Sequence, residues 1–274
     1  MPNLRSRPKV LFSDLDRTFL THAYTVHPRA AEALETARSA DLEIIFVTAR
    51  APKSLKQVVG PVGWRGRAAC FNGAWIGDLE SGEVSISERM PADIAADIMD
   101  HARIMGAEPI WYGDQEILVH EKTPTIAWQL GKVGEQAIVA RDFSAQRVGP
   151  FKVLCVDDRD PSCFDTLRAR WLNSVHVVQS HQMLLEVGPR GVSKGSAVRR
   201  LMAALDLSPE DCAAVGDAEN DLSMLDAVGN PATVGNAIDE VKQQVMYVGA
   251  SCDEGGFADV VNWLVGGRRR EMPA

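Results

Sequence analysis

The stretch Val10-Leu11-Phe12-Ser13-Asp14-Leu15-Asp16 decides the fold. A short apolar run that breaks off into turn-prone polar residues reads as a buried strand. Open parallel sheets bind ligands beyond the carboxyl ends of their strands, so carboxylates standing there are placed to act on something. Taken alone, Asp14 and Asp16 are better explained as residues that end a strand and solvate a turn. Their partners elsewhere in the chain decide between the two readings.

Outward from this strand, apolar runs alternate with helical patterns: a helix over 29–40, a strand over 42–47, a helix opening near Pro52, and a strand over 68–71 that runs into Asn72-Gly73. Such alternation implies parallel βαβ units. The pattern changes at 80–91, a polar passage, and is followed by a helix with Ile94, Ile98, Ala102 and Met105 on one face. Strands over 109–112 and 117–120 flank Gly113-Asp114, a hairpin signal. A helix near 125–130, a strand over 151–156, a helix over 163–172 and strands over 175–178 and 184–187 complete an α+β module. After Gly188-Pro189-Arg190-Gly191 the alternation resumes, with a helix over 196–205, a strand over 212–215, a segment over 222–228 and Thr233-Val234. The expected organisation is a doubly wound, parallel-sheet α/β domain formed by 1–80 and 190–267, interrupted by an α+β insert over 81–189 and followed by a flexible tail, 268–274. A cleft between the two domains is the natural place for a small ligand.

A formal net charge of −8 argues against nucleic acid as a partner, because backbone phosphates need basic clusters. The basic run Arg268-Arg269-Arg270 sits on the tail and reads as a solvated end. The basic segment Met1-Pro2-Asn3-Leu4-Arg5-Ser6-Arg7 has no apolar core behind it, so a signal peptide is not expected, and no apolar stretch is long enough to span a bilayer. Five widely spaced cysteines without a Cys-x-x-Cys pair read as reduced structural thiols of a cytoplasmic protein. None of the six histidines pairs at metal-ligand spacing, so no zinc site is expected. The oligomeric state is not legible.

Each parallel strand ends in a polar group: Asp14 and Asp16, then Thr48, then Gly216-Asp217, with Glu219, Asn220 and Asp221 just beyond. Carboxylates gathered in this way repel one another unless a cation is present, and hard oxygen donors suit Mg²⁺. A calcium loop over 217–228 fails, because Leu222 and Val228 stand where Gly and Glu are needed. Glu219 by itself reads as solvated. Lys194 opens a helix, where the dipole disfavours a cation, and an anionic ligand would remove that objection. Together these groups describe phosphoryl transfer through an aspartyl phosphate: one Asp attacks phosphorus, Mg²⁺ neutralises charge, and Thr48 and Lys194 hold the remaining oxygens. Asp16 is the acid/base candidate.

The segments Asp14-Leu15-Asp16-Arg17-Thr18, Thr48, Lys194 and Gly216-Asp217-Ala218-Glu219-Asn220-Asp221 resemble the four motifs of the haloacid dehalogenase superfamily. The likeness covers nearly the whole chain. The insert resembles a type-IIB (C2) cap, and Gly191-Val192-Ser193-Lys194-Gly195 with Val234-Gly235-Asn236-Ala237 resembles the Cof-type phosphatase branch. The resemblance implies a Rossmann-like core and a phosphatase of small phosphorylated metabolites, sugar phosphates first. It implies Asp14 as nucleophile and Asp16 as acid/base. Asp14, the Asp16 carbonyl and Asp217 would bind Mg²⁺, with Asp221 as ligand or support, and Asn220 and Asn236 would orient phosphate or the metal loop. Asn72-Gly73 resembles a segment near the family's site, though a plain turn explains it equally well.

Two departures stand out, Arg17 and Ala49, each where the family usually has Gly. Arg17 disturbs the loop, faces solvent, or lines the entrance; in the last case the substrate would be strongly anionic. A phosphomutase uses the same intermediate, and a phospho-receiver signalling domain also combines Asp, Thr and Lys, though the large insert fits receivers poorly. The side chains that select a substrate are sought on the insert, where Trp111, Tyr112, Asp114, His120, Gln179 and His181 are candidates for which packing is an equal explanation.

Overall fold

The computed structural model describes residues 4, 7–114, 116–157 and 162–266; the 268–274 tail with its Arg268-Arg269-Arg270 run lies outside the described residues, as does most of the basic N-terminal segment. The chain divides into two compact units, Met1–Val84 with Ser193–Ala274, and Ser85–Val192.

In the first unit the chain forms β1 (Val10–Ser13), α1 (Pro28–Ser39), β2 (Glu43–Val47), α2 (Pro52–Val59), β3 (Arg67–Cys70) and β4 (Trp75–Asp78), and leaves through β5 (Val84–Ser87). It returns through α6 (Lys194–Ala204), β12 (Cys212–Val215), α7 (Leu222–Leu225), β13 (Asn230–Thr233), α8 (Asp239–Lys242), β14 (Tyr247–Val248) and α9 (Gly256–Gly266). The strand order is β14-β13-β12-β1-β2-β3-β4-β5, parallel from β14 to β3 and antiparallel from β3 to β4. Both sheet directions diverge from β1: β2 and β3 follow on one side, β12 to β14 on the other. That is the topological switch point at which ligands bind in such sheets. Ser13 pairs with Val215 on one side and Phe46 on the other, so β1, β2 and β12 all end at one edge.

The central strands are apolar because both faces are covered; Leu11, Phe12, Ile45, Phe46, Ala213 and Ala214 have no more than 0% exposure. Phe19 stacks edge-on against Phe46 and Phe257, with ring centroids 5.0 Å apart in both pairs. Helices begin where the sequence supplies caps: Pro28 follows the His27 cap of α1, Pro52 opens α2, and Ser193 with Ser196 forms a reciprocal capping box on α6. At its far end α9 lies against α1, and Arg29 ties the two together by donating to the Glu254 carbonyl and Asp259, each at 2.6 Å.

Two stretches depart from the sequence reading. The passage over 75–91 contains β4 and β5, and β5, only four residues long and largely exposed, was read as part of a polar passage although Val84 and Ile86 alternate with Ser85 and Ser87. Beyond Val234 no helix was expected, yet α9 buries Phe257, Val260, Val261, Trp263 and Leu264.

The second unit comprises α3 (Ala92–Ile104), β6 (Glu108–Tyr112), β7 (Ile117–Val119), α4 (Pro124–Lys132), β8 (Ile138–Val139), β9 (Lys152–Val156), α5 (Cys163–Trp171), β10 (His176–His181) and β11 (Leu184–Gly188). Its sheet runs β10-β11-β9-β6-β7-β8. The Gly113-Asp114 turn does join an antiparallel pair, β6 and β7. Ala95, Ile98, Met99 and Ala102 of α3 pack with Trp111, Val153, Phe164 and Leu185 into one core. Met105 is 37% exposed, against expectation, because α3 stops at Ile104 and the next residue caps it. Trp111 and Tyr112 are buried, so packing accounts for both. Among the described residues no helix is long and apolar enough to cross a membrane.

Trp263 is fully buried and stacks on Tyr247, ring centroids 5.0 Å apart at 9°. Trp263→Ala should lower the unfolding free energy by about 3–5 kcal/mol, read as a shift of the urea midpoint.

Candidate active site

Asp14 leaves β1 with its N–H donating to the Val215 carbonyl at 2.9 Å, while the Ser13 hydroxyl donates to the Asp14 carbonyl at 2.7 Å. Across the strand end, Gly216 lets the chain fold back tightly. A Cβ there would lie 2.3 Å from the Asp221 carboxyl carbon. Asp221 then turns inward, and its Oδ2 accepts from the backbone N–H of Asp217 and Ala218 at 2.9 and 3.0 Å. Thr18 donates to Asp217 Oδ1 at 2.8 Å. The result brings Asp14, Asp217 and Asp221, all buried, within 4.8 Å of one another, a donor set able to hold a hard divalent cation.

Lys194 completes the cluster from the first residue of α6. Its Nζ donates to Asp14 Oδ1 at 2.5 Å and to Asp221 Oδ1 at 2.6 Å, and its side chain is 1% exposed. Burial alone would push the ammonium pKa down, but Asp14 and Asp221 raise it above its ordinary value. These two carboxylates offset the unfavourable helix dipole noted at this position. One ammonium does not balance three acids. Burial raises the Asp14 pKa well above the ordinary carboxyl range despite the opposing pull of Lys194, and burial followed by the Asp221 charge pushes Asp217 up to about 7. A cation is what would let all three ionise together.

The remaining predicted residues gather around this cluster. Thr48 is buried at the end of β2, and its hydroxyl oxygen accepts from the Arg50 N–H at 3.2 Å. Asn220 donates to Asn72 Oδ1 at 3.3 Å, and the Asn72 N–H donates to the Thr48 carbonyl at 2.9 Å, so Asn72-Gly73 belongs to the site rather than to a remote turn. Asn236 donates to the Arg17 carbonyl at 2.8 Å. Glu219 is partly exposed and stands outside the carboxylate cluster. The Asp16 side chain also stands outside it, turned instead toward Arg50.

Arg50 is the main residue that sequence reasoning missed. Its guanidinium, 4% exposed, grips Asp16 with Nη2 at 2.5 Å from Oδ1 and Nε at 2.9 Å from Oδ2, a two-pronged geometry that fixes a carboxylate's orientation. The signal available was its position two residues after Thr48. Thr18, quoted as part of the first motif but given no role, is the second.

The two departures from the family pattern differ in their backbone setting. Ala49 is not among the residues with positive φ, so a side chain there is unstrained. Arg17 does lie in the left-handed region, at φ 60, a conformation that suits glycine. Arg17→Gly should therefore stabilise the protein by roughly 1 kcal/mol, measured by chemical denaturation. A second expectation concerns pH. Asp217 ionises near 3.8 when unfolded and near 7 when folded, so the folded state holds more protons between these values and, in cation-free protein, stability falls as pH rises from about 4 to 7. Adding a divalent cation should flatten that slope in thermal melts.

Comparison with known proteins gives this geometry its context. The profile of the haloacid dehalogenase-like hydrolase family matches residues 11–261. The HMP-PP phosphatase of Yersinia enterocolitica is 27% identical over 274 residues, covering 92% of this chain and 93% of that one. Among solved structures, a haloacid dehalogenase-like hydrolase from B. subtilis superposes with a TM-score of 0.84 at 22% identity, over 93% of this chain and 98% of the other. A HAD subclass IIB sugar phosphatase does so with a TM-score of 0.79 at 20% identity, over 92% and 97%. The structural likenesses establish the fold, and the profile match spans all three strand-end motifs and the sequence between them: the chain belongs to the haloacid dehalogenase-like hydrolase family.

Proposed function

We propose that the protein is a Mg²⁺-dependent phosphomonoester hydrolase that acts on a small phosphorylated metabolite, a sugar phosphate foremost, through an aspartyl phosphate on Asp14. The observation that carries this reading is the buried Asp14 carboxylate at the switch-point edge, 2.5 Å from Lys194 and clustered with Asp217 and Asp221. The Y. enterocolitica relative, named as an HMP-PP phosphatase, and the fold shared with a subclass IIB sugar phosphatase support the choice of phosphate esters.

In this reading Asp14, Asp217, Asp221 and the Asp16 carbonyl would hold Mg²⁺, which neutralises carboxylate and phosphoryl charge. Asp14 attacks phosphorus, and Asp16 protonates the departing ester oxygen. Asp16 then takes a proton from the water that opens the acyl phosphate. Arg50 is a positioning residue that keeps the Asp16 carboxyl in one orientation. Thr48 and Lys194 hold phosphoryl oxygens, and Lys194 also keeps Asp14 pointed at the reacting centre. Asn220 and Asn236 brace the loops that carry these groups. A cytoplasmic location belongs to the same proposal, supported by five buried cysteines that form no disulfide.

The test is phosphate release from a panel of phosphomonoesters and HMP-PP with Mg²⁺ present, run beside Asp14→Asn. Release by the native protein and a loss of about a thousandfold or more in the variant are expected. Undiminished turnover in Asp14→Asn would exclude the covalent route; absence of release from every substrate would favour the phosphomutase, which uses the same intermediate.

A further inference from the structure

A second group of metal-ligating side chains stands apart from the carboxylate cluster, in the same unit. His22, Cys252 and Asp253 bring a nitrogen, a sulfur and a carboxylate within 4.8 Å of one another. The expectation of no zinc site rested on spacing along the sequence; here the fold joins residues about 230 positions apart.

Both contributing loops are held in place by their own contacts. His22 lies in a turn closed by the Thr21 N–H donating to the Thr25 carbonyl, the Thr25 N–H donating to the Thr21 hydroxyl oxygen, and the Leu20–Val26 bridge. Cys252 and Asp253 open a 3-10 turn, Cys252–Glu254, capped by Ser251. Arg29 holds the Glu254 carbonyl at 2.6 Å. Gly255, at φ +75, packs so closely on His27 that a Cβ would lie 2.6 Å from its Nδ1. The Cys252 N–H donates to Asn236 Oδ1 at 2.8 Å. A site whose ligands are positioned before the ion arrives loses little entropy on binding it.

The distances fit a small tetrahedral ion. His22 Nδ1 is 2.9 Å from Asp253 Oδ2 and 3.4 Å from Cys252 Sγ, and that sulfur is 3.9 Å from Asp253 Oδ1. Zinc bonds of about 2.0 Å to nitrogen and oxygen and about 2.3 Å to sulfur, set at tetrahedral angles, put ligand atoms roughly 3.3–3.6 Å apart. The His22–Cys252 edge falls inside that range, and the two edges to Asp253, made by different oxygens of its carboxylate, lie a few tenths of an ångström below and above it. The His22 and Asp253 side chains are 44% and 53% exposed, which gives an ion a way in and leaves the fourth position to water. A surface His–Asp pair by itself contributes little, and it does not explain why a thiol completes the triangle.

We propose that His22, Cys252 and Asp253 bind one thiophilic divalent cation of the Zn²⁺ type. The donor set separates this site from the first: hard Mg²⁺ avoids sulfur and nitrogen, whereas Zn²⁺ accepts both. A cysteine enters a metal site as the thiol and ligates as the thiolate. Binding forms the metal–sulfur bond and releases the thiol proton to solvent.

Co²⁺ serves as the optical probe. Chelator-treated full-length protein, kept in excess Mg²⁺ to occupy the carboxylate cluster, is titrated with Co²⁺ and then with Zn²⁺. One equivalent of Co²⁺ should bind with thiolate-to-cobalt charge-transfer absorption, and Zn²⁺ should displace it. Cys252→Ser should abolish that absorption, His22→Ala should weaken binding at least about tenfold, and Asp14→Asn should change neither. Circular dichroism confirms that each variant is folded. Absence of the charge-transfer band in the native protein, or its persistence in Cys252→Ser, would overturn the proposal. Neither readout depends on phosphatase activity.

Discussion

The structure of the site follows from one electrostatic constraint: three buried carboxylates face a single buried ammonium. Two like charges 4 Å apart repel by about 4 kcal/mol even at an effective dielectric of 20, so every contact around Asp14, Asp217 and Asp221 serves to make that crowding tolerable. Lys194 bridges two of the acids, Thr18 donates to the third, and two backbone N–H groups bind the inner oxygen of Asp221. Gly216 is obligatory because Asp221 occupies the volume that its side chain would need. Even so, the charges do not balance, and the raised pKa values of Asp14 and Asp217 are the physical expression of an excess that a cation removes.

Sheet topology explains how residues so distant in sequence reach this arrangement. Because β1 lies between β12 and β2, with Ser13 in register with Val215 and Phe46, the chain leaves three adjacent strands at the same height. Asp14, Thr48 and Asp217 are the residues it meets there first or second. Lys194 arrives from the first turn of α6, whose Ser193–Ser196 box satisfies the backbone and leaves the lysine side chain to bridge the acids. The close packing of Gly195 on Ser223, where a Cβ would come within 2.2 Å of a carbonyl oxygen, brings α6 near enough for that reach.

What was legible in the sequence is what leaves a local trace. β1, β2 and β12 are covered on both faces, so their apolar runs stand out, and the polar residues that end them announce the site. β5 faces outward and leaves no such trace. The helix α9 is apolar almost all round, so it lacks the one-sided pattern by which an amphipathic helix is recognised. Arg50 escaped for a different reason: its meaning lies in Asp16, 34 residues away, and nothing near it in sequence marks the pairing. The same holds for His22 and Cys252, which are unremarkable until the fold sets them side by side. Arg17 was visible as a departure, but its consequence is a backbone angle, which side-chain patterns do not record.

The order in which the site's parts occur along the chain has a consequence for biosynthesis. Asp14 and Thr48 are made early, whereas Lys194, Asp217 and Asp221 follow only after the whole of the second unit has been synthesised. A nascent chain shorter than 221 residues therefore lacks part of the carboxylate cluster and, before residue 194, the ammonium that holds Asp14. The β1 strand waits without its β12 neighbour until Cys212 and the residues after it have been made, and chemistry at the strand ends is confined to chains that extend past Asp221.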